Sequence, residues 1–116
     1  MHKPWPAEEG LFLTADDMRW YWGHYLADTA HGSNPRASVL RANLARLPPA
    51  LVITAEFDPL RDEGESYARL LMRAGVASSL VRYDGMIHAF AALSAFPVEQ
   101  ARVIADVAAA VDTYLR

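Results

Sequence analysis

Two side chains that could do acid–base chemistry, Asp58 and His88, follow two apolar runs of this 116-residue chain. Asp58 comes shortly after residues 51–55, and His88 comes after a second apolar-rich run. A carboxylate that holds an imidazole sets the tautomer of the ring, so that its other nitrogen can take a proton from a nucleophile. The two residues therefore indicate the acid and the base of a nucleophilic triad, if the fold brings the two runs together.

Each of the two residues also has a structural interpretation. Asp58 stands before Pro59, and Asp is a favoured helix N-cap while Pro is favoured at the first helical position. A lone histidine among apolar neighbours, as His88 is, more often contributes to packing than to catalysis. The catalytic interpretation depends on the order of the elements, in which the two residues follow successive strands.

The elements around the pair predict an α/β fold. Residues 51–55 are continuously apolar and rich in β-branched side chains, which is typical of a parallel strand buried on both faces. Residues 79–83 predict a second strand, which an Asp84-Gly85 turn should end. Between the strands a helix should end at Gly75, with an apolar face of Tyr67, Leu70, Leu71 and Ala74. Its first turn should be solvated and mutually paired, and consists of Arg61, Asp62, Glu63 and Glu65.

Two further helices are predicted on either side of this unit. Thr14 can cap the first helix, and Asp17 can complete a capping box. The apolar stripe of this helix is rich in aromatic residues: Met18, Tyr21, Trp22, Tyr25 and Leu26. The stripe fits the buried face of an amphipathic helix; the alternative is a site for a small apolar ligand, formed by Trp20, Trp22 and Tyr25. The last helix should begin near Pro97 and pack on the sheet through Ile104, Val107, Ala108, Val111 and Leu115.

Composition and charge argue against several classes of protein. The 11 basic and 14 acidic residues give a net charge of −3, whereas a nucleic-acid-binding surface needs a basic excess or patch. The chain has no cysteine, so it can form neither a disulfide nor a thiolate metal site. It shows no secretory leader and no apolar run near the roughly 20 residues of a membrane helix. We therefore expect a cytoplasmic protein without a membrane span or a nucleic-acid partner.

Three further residues, His24, Asp28 and His31, could bind a metal only if the fold brought them together. His24 and Asp28 are four positions apart, which is a possible ligand spacing on a helix. His31 falls in a turn-rich segment, and no HExxH or similar pattern is present. We therefore expect no metal site and no cofactor.

The residues around Asp58 and His88 carry a family resemblance. LPPALVITAEFDPLRDEGESYARLLMRAG, followed by VRYDGMIHAF, resembles the C-terminal part of the hormone-sensitive-lipase-like serine esterases, a branch of the α/β-hydrolase fold. The upstream segments LTADDMRWYWGHYL and PRASVLRANLARLPP resemble the same part of these enzymes. The resemblance implies that Asp58 is the acid and His88 the base of a Ser-His-Asp triad that acts on carboxylic esters.

The same resemblance implies a missing part. Family members have an oxyanion-hole HGGG and a nucleophile GDSAG upstream, and neither motif nor any GxSxG occurs here. We therefore expect residues 1–116 to form a partial α/β-hydrolase domain. This would be the C-terminal portion of the fold, with about two parallel strands, flanking helices and an incomplete sheet. Ala89 stands where the family usually has glycine, which should crowd the backbone beside His88.

Two functions of different classes follow from these observations. The first is a carboxylic ester hydrolase, an esterase or lipase for small acyl esters, whose nucleophile lies in a missing N-terminal half; the chain should then be inactive alone. The second is a non-catalytic module that binds a partner through its open sheet edge, such as a separately encoded N-terminal half. A two-stranded sheet with an open edge also predicts low stability and a tendency to aggregate.

Overall fold

The computed structural model of the chain describes residues 11–115, which form an α/β unit with a two-stranded sheet. Its helices and strands are α1 (Ala15–Tyr25), β1 (Ala50–Phe57), α2 (Arg61–Arg73), β2 (Ser78–Ile87) and α3 (Pro97–Leu115). Short 3-10 turns lie at Thr29–Ser33, Val39–Arg41 and Phe90–Ala92. β1 and β2 pair in parallel, and α2 is the crossover between them. The predicted unit of two parallel strands with flanking helices is therefore confirmed.

The end of α2 is fixed by its last turn and by Gly75. The N–H of Val76 donates to the carbonyl of Leu71 at 3.0 Å, and that of Gly75 donates to Met72 at 3.1 Å. This pair of bonds is the Schellman motif, which needs a left-handed residue after the helix. Gly75 has a φ of 79°, so the predicted stop is confirmed.

Two small apolar clusters lie on opposite faces of the sheet. On the face covered by α2, the buried residues are Leu44, Leu71 and Val76. On the other face they are Ala55, Tyr83 and Phe90, with Phe96 and Val103 packed against them. Within β1 only Thr54 and Ala55 are buried, so the strand predicted to be buried on both faces is only partly covered by the described residues.

Helix α1 begins as predicted but does not bury its aromatic stripe. Thr14 Oγ1 accepts from the N–H of Asp17 at 3.0 Å, and the N–H of Thr14 donates to Asp17 Oδ2 at 2.9 Å, which completes the capping box. Tyr21 and Tyr25 are 55% and 69% exposed, and only Ala15 is buried. The prediction of a buried face is wrong, because among residues 11–115 no other helix or strand packs closely on α1.

Helix α3 begins at Pro97 as predicted, but it is rotated about its own axis, so that a different side of the helix faces the sheet. The predicted stripe faces solvent, with Ile104 70% and Leu115 77% exposed. The half-buried side is instead Val103, Asp106, Ala110 and Tyr114. The rotation is set by Tyr83, whose hydroxyl donates a short hydrogen bond to Asp106, and by Val103, which packs on the Tyr83 cluster.

The first turn of α2 is only partly solvated. Arg61 pairs with Asp62 at 3.1 Å, as predicted for this turn. Glu65 is instead 5% exposed, and its carboxylate accepts two hydrogen bonds from Arg82 at 2.7 and 2.8 Å. The prediction of a solvated Glu65 is wrong, because its two shortest hydrogen bonds come from Arg82, 17 positions away on β2, while Arg69 on the same helix is 3.6 Å away.

Strand β2 continues through the predicted Asp84-Gly85 turn. Ala55 pairs with Tyr83, and Phe57 pairs with Ile87, so the register shifts between them. Gly85 has a φ of 76°, a conformation that glycine adopts without a steric penalty. The two turn-forming residues therefore make a β-bulge within the strand, and the predicted end of the strand is wrong.

Candidate active site

Asp58 and His88 lie next to each other at the carboxyl ends of β1 and β2. His88 Nδ1 is 2.8 Å from Asp58 Oδ2. Since an ionised carboxylate can only accept, the Nδ1–H donates and Nε2 is left as the basic nitrogen. The Asp58 side chain is 12% exposed and that of His88 is 33% exposed. The carboxylate is thus shielded while the imidazole remains accessible.

The second oxygen of Asp58 shapes the turn that follows β1. Asp58 Oδ1 accepts from the N–H of Leu60 at 2.8 Å, and the Asp58 carbonyl accepts from the N–H of Arg61 at 3.0 Å. α2 begins only at Arg61, with Leu60 at the N-cap position and no side-chain cap. The prediction of Asp58 as N-cap with Pro59 at the first helical position is therefore wrong. The carboxylate instead makes an Asx turn and the histidine contact at once.

A further residue of the site, Glu56, was missed by sequence reasoning. Its Oε2 accepts from the N–H of Gly85 at 2.6 Å, and its carbonyl accepts from Arg61 Nη1 at 2.6 Å. Both bonds join segments next to Asp58 and His88. No local pattern marks Glu56, because its partner Gly85 is 29 positions away.

The residue after His88 has a strained backbone. Ala89 adopts φ 60° and ψ 15°, in the left-handed region, and leads into the 3-10 turn Phe90–Ala92. A side chain at such a position costs about 1–2 kcal/mol, whereas glycine adopts it freely. This conformation explains why a glycine suits the position and why Ala89 is the crowded alternative.

Two polar links support the strand that carries His88. The carboxylate of Glu65 is bound by Arg82 and by Thr54 Oγ1, and these bonds lower the pKa of Glu65. On the other face, burial and the hydrogen bond to Asp106 raise the pKa of Tyr83 to about 12. Each link joins β2 to a helix, so the strand is tied to both α2 and α3.

No serine of the described residues reaches the pair. The hydroxyls of Ser33, Ser38 and Ser78 donate to backbone carbonyls of Ala30, Gly32 and Val76. Among residues 11–115 the side-chain hydrogen bond of His88 is to Asp58 and not to a serine. The arrangement can therefore move a proton and stabilise the charged imidazole, but no serine hydroxyl of residues 11–115 is hydrogen-bonded to it.

The candidate metal site of His24, Asp28 and His31 is not assembled among the described residues. His24 stacks on Trp20 with ring centroids 4.1 Å apart, and Asp28 accepts from the N–H of Ala30 at 2.8 Å. Within the described residues no three metal-binding side chains converge. A cavity of about 400 Å³ between β2 and α3 has charged walls and includes neither Asp58 nor His88. No helix of residues 11–115 is long and apolar enough to cross a membrane.

Sequence comparison relates the chain to known ester hydrolases. A family model described as alpha/beta hydrolase fold matches residues 1–92. The carboxylic ester hydrolase LipN of Mycobacterium tuberculosis is 46% identical over 83 residues, which cover 70% of this chain and 22% of LipN. An arylesterase of Saccharolobus solfataricus is 49% identical over 67 residues, which cover 57% of this chain and 22% of that enzyme.

Solved structures show the same relation. The monoclinic form of the Pyrobaculum calidifontis esterase matches with a TM-score of 0.85 and 43% identity, over 95% of this chain and 36% of that one. The carboxylesterase EstE1, cloned from a metagenomic library, matches with a TM-score of 0.78 over 88% of this chain and 34% of that one. The chain thus spans between about a fifth and a third of the length of these relatives. The predicted partial fold is confirmed.

Proposed function

The chain belongs to the hormone-sensitive-lipase-like esterases of the α/β-hydrolase fold, and on this premise we propose that it supplies the acid and the base of a carboxylic ester hydrolase. Asp58 would be the acid and His88 the base. The observation that carries the proposal is the 2.8 Å contact between His88 Nδ1 and Asp58 Oδ2. Relatives named as a carboxylic ester hydrolase and an arylesterase support an ester as the substrate.

In the proposed reaction a serine hydroxyl attacks the ester carbonyl. His88 Nε2 takes the proton of that hydroxyl and later gives it to the leaving alcohol. Asp58 keeps the Nδ1–H tautomer in place and stabilises the imidazolium that forms. Water then repeats the sequence on the acyl-enzyme and releases the acid.

The proposal assigns the nucleophile and the oxyanion hole to sequence that this chain does not contain. An oxyanion-hole donor contributes about 10²–10³-fold to kcat in serine hydrolases. A proton acceptor without a positioned nucleophile has no group to activate. We therefore expect the 116-residue chain to hydrolyse esters no faster than its His88→Ala variant.

A chimera with a related esterase tests the proposal. The segment of the Pyrobaculum calidifontis esterase that this chain matches would be replaced by the chain, and hydrolysis of p-nitrophenyl butyrate would be measured. The chimera should hydrolyse the ester, and His88→Ala should lower kcat at least about 10³-fold. His31→Ala is the matched control, because His31 lies in the 3-10 turn Thr29–Ser33 outside the pair.

Two results would count against this assignment. A His88→Ala chimera with unchanged kcat would show that His88 is not the base. Turnover by the isolated chain that is lost in His88→Ala would show that one of its own residues is the nucleophile, and each serine would then be replaced in turn.

The second candidate function is binding of a partner that completes the sheet. The two-stranded sheet leaves the outer edges of β1 and β2 unpaired within the described residues, and the apolar stripe of α3 is exposed. Mixing the chain with the separately expressed remainder of the Pyrobaculum calidifontis esterase should give a 1:1 complex on size exclusion. Elution of the two polypeptides as separate species at micromolar concentration would reject this function.

A further inference from the structure

The ladder between β1 and β2 is interrupted beside Asp58 and His88. Because the register jumps by two positions, the single residue Glu56 faces residues 84–86 of β2. A β-bulge leaves the backbone groups of its extra residues without ladder partners. Contacts other than the ladder must therefore fix the shape of the bulge.

The bulge decides where His88 lies. Before it, Ala55 pairs with Tyr83, 28 positions later, whereas after it Phe57 pairs with a residue 30 positions later. Asp58 and His88 are also 30 positions apart. The register after the bulge thus brings His88 to Asp58, and the register before it would have brought a residue two positions earlier.

Glu56 closes the bulge from the opposite strand. Its Oε2 accepts a 2.6 Å hydrogen bond from the N–H of Gly85, at the centre of the bulge. Its carbonyl accepts a 2.6 Å bond from Arg61 Nη1, in the segment that follows Asp58. Glu56 therefore contacts the segment after the acid and the segment before the base.

We infer that Glu56 is a positioning residue for the Asp58–His88 pair, because its bond to the Gly85 N–H fixes the bulge that sets the register of His88. The inference rests on the proposed function where it treats this pair as catalytic. Glu56 acts through Gly85 and not by contact with the reacting atoms.

Three substitutions of Glu56 distinguish the roles of its acceptor oxygen, its negative charge and its length. Glutamine keeps a carbonyl oxygen at the same distance and loses the charge that strengthens a bond to a backbone N–H. Aspartate keeps the charge but is one methylene shorter, so it does not reach Gly85. Alanine has neither the acceptor nor the length.

The experiment uses nuclear magnetic resonance of the isotope-labelled 116-residue chain. The amide shift of Gly85 reports its contact with residue 56. Two-bond proton–nitrogen correlations report whether the His88 imidazole carries its proton on Nδ1, and they are recorded at about pH 8.5, above the ordinary histidine pKa of about 6.5. The matched control is Asp84→Ala, which removes an exposed carboxylate from the same bulge.

Glu56→Ala and Glu56→Asp should move the Gly85 amide signal and lose the Nδ1–H tautomer of His88. Glu56→Gln and Asp84→Ala should both retain that tautomer. In Asp84→Ala only the tautomer is compared, because residue 84 directly precedes Gly85 and its substitution moves the Gly85 amide signal by itself. Unchanged methyl shifts of Leu71 and Val76 in the α2 cluster would show that each variant is folded.

Three results would overturn the inference. The first is a moved Gly85 signal with an intact Nδ1–H tautomer in Glu56→Ala, since the bulge would then not position His88. The second is loss of the tautomer in Asp84→Ala to the same extent. The third is unfolding of every Glu56 variant, since Glu56 would then be needed for folding and not for the position of His88. If only Glu56→Ala unfolds, the His88 tautomer in Glu56→Asp is the result that tests the inference.

This measurement is independent of catalysis. If the chimera were inactive while Glu56→Ala still lost the tautomer, the proposed function would fail and the positioning role would stand. If the chimera were active and the tautomer unaffected, only the positioning role would fail.

Discussion

At the scale of single residues, Asp58 divides its two carboxylate oxygens between two tasks. Oδ1 holds the N–H of Leu60 and Oδ2 holds Nδ1 of His88, each at 2.8 Å. The turn after β1 and the orientation of the imidazole therefore depend on one side chain. A substitution that preserves one oxygen can separate the two tasks.

Asp58→Asn makes that separation. The asparagine oxygen can still accept from Leu60, but its amide group donates and so cannot accept from Nδ1–H. We expect the chimeric esterase to keep its melting temperature within a few degrees and to lose about 10⁴-fold in kcat, as the wrong tautomer is favoured. A loss of less than about tenfold would contradict the role of Asp58.

The strained backbone of Ala89 leads to a second prediction. Relief of the left-handed strain is worth about 1–2 kcal/mol, and the extra freedom of glycine in the unfolded chain offsets about 0.4–1 kcal/mol of it. Ala89→Gly should therefore raise the free energy of unfolding by about 0.5–1 kcal/mol in urea titrations. Ala108→Gly, within α3, is the control and should lower the free energy of unfolding by about the same amount. A lower free energy of unfolding in both variants would contradict the prediction.

At the scale of elements, the link between Glu65 and Arg82 fastens α2 to β2. Glu65 is buried on the helix, and the bidentate contact comes from a side chain that is 45% exposed. Because one partner is half in solvent, the link is worth less than a fully buried ion pair. Its formation explains why a charged residue is found on the inner face of α2.

The link between Glu65 and Arg82 makes the free energy of unfolding depend on pH in the acid range. The pKa of Glu65 is lowered in the folded state from its ordinary 4.5, so its contribution is fully present above that value and is lost as pH falls through the lowered pKa. Glu65→Gln should cost about 1–3 kcal/mol at pH 7 and should flatten the decline of stability below about pH 4.5. Urea titrations from pH 7 to 3 measure both effects.

Glu63→Gln, on the same helix, is the matched control for that measurement. It removes the same charge without the contact to Arg82, so the acid dependence should match that of the unsubstituted chain. An equal flattening in Glu63→Gln would assign the effect to net charge and not to the link.

At the scale of the whole molecule, the described chain is open and thinly packed. Its radius of gyration is 15.4 Å and its extents are 41 × 37 × 21 Å, whereas a compact domain of this length has a radius of about 13 Å. Among residues 11–115, six of the nine buried apolar residues lie in two small clusters on opposite faces of the sheet. Neither cluster amounts to a core of the size expected for such a length.

Low stability follows from this architecture. We expect a free energy of unfolding below about 5 kcal/mol, under the usual range for native domains, and a urea midpoint below about 3 M. Tryptophan fluorescence and circular dichroism in urea measure both quantities. A cooperative transition with a midpoint above about 5 M would contradict the expectation.

The features that could be predicted from the sequence are those encoded by near neighbours. The capping box at Thr14, the stop at Gly75 and the start at Pro97 each depend on residues within one or two helical turns. The parallel strands and the meeting of Asp58 with His88 followed from the order of the elements and from the family resemblance.

The features that could not be predicted depend on distant partners. Glu65 is buried because Arg82 reaches it from β2, and β2 continues past Tyr83 because Glu56 closes the bulge. The rotation of α3 is likewise set by the bond between Tyr83 and Asp106. Periodicity along one segment carries no information about such contacts.

The bulge adds two residues to β2 that have no ladder partner on β1. The strand could therefore lose these two residues without losing the contact between Asp58 and His88. Deletion of residues 84–85 would let the two strands pair without interruption, and His88 would still reach Asp58. In that shortened chain Glu56 would face a single residue, so Glu56→Ala should no longer disturb the imidazole tautomer of His88. The effect of substituting Glu56 thus depends on whether β2 contains the two bulge residues. The number of residues between acid and base is therefore set by the length of β2, and the reaction does not require one particular number.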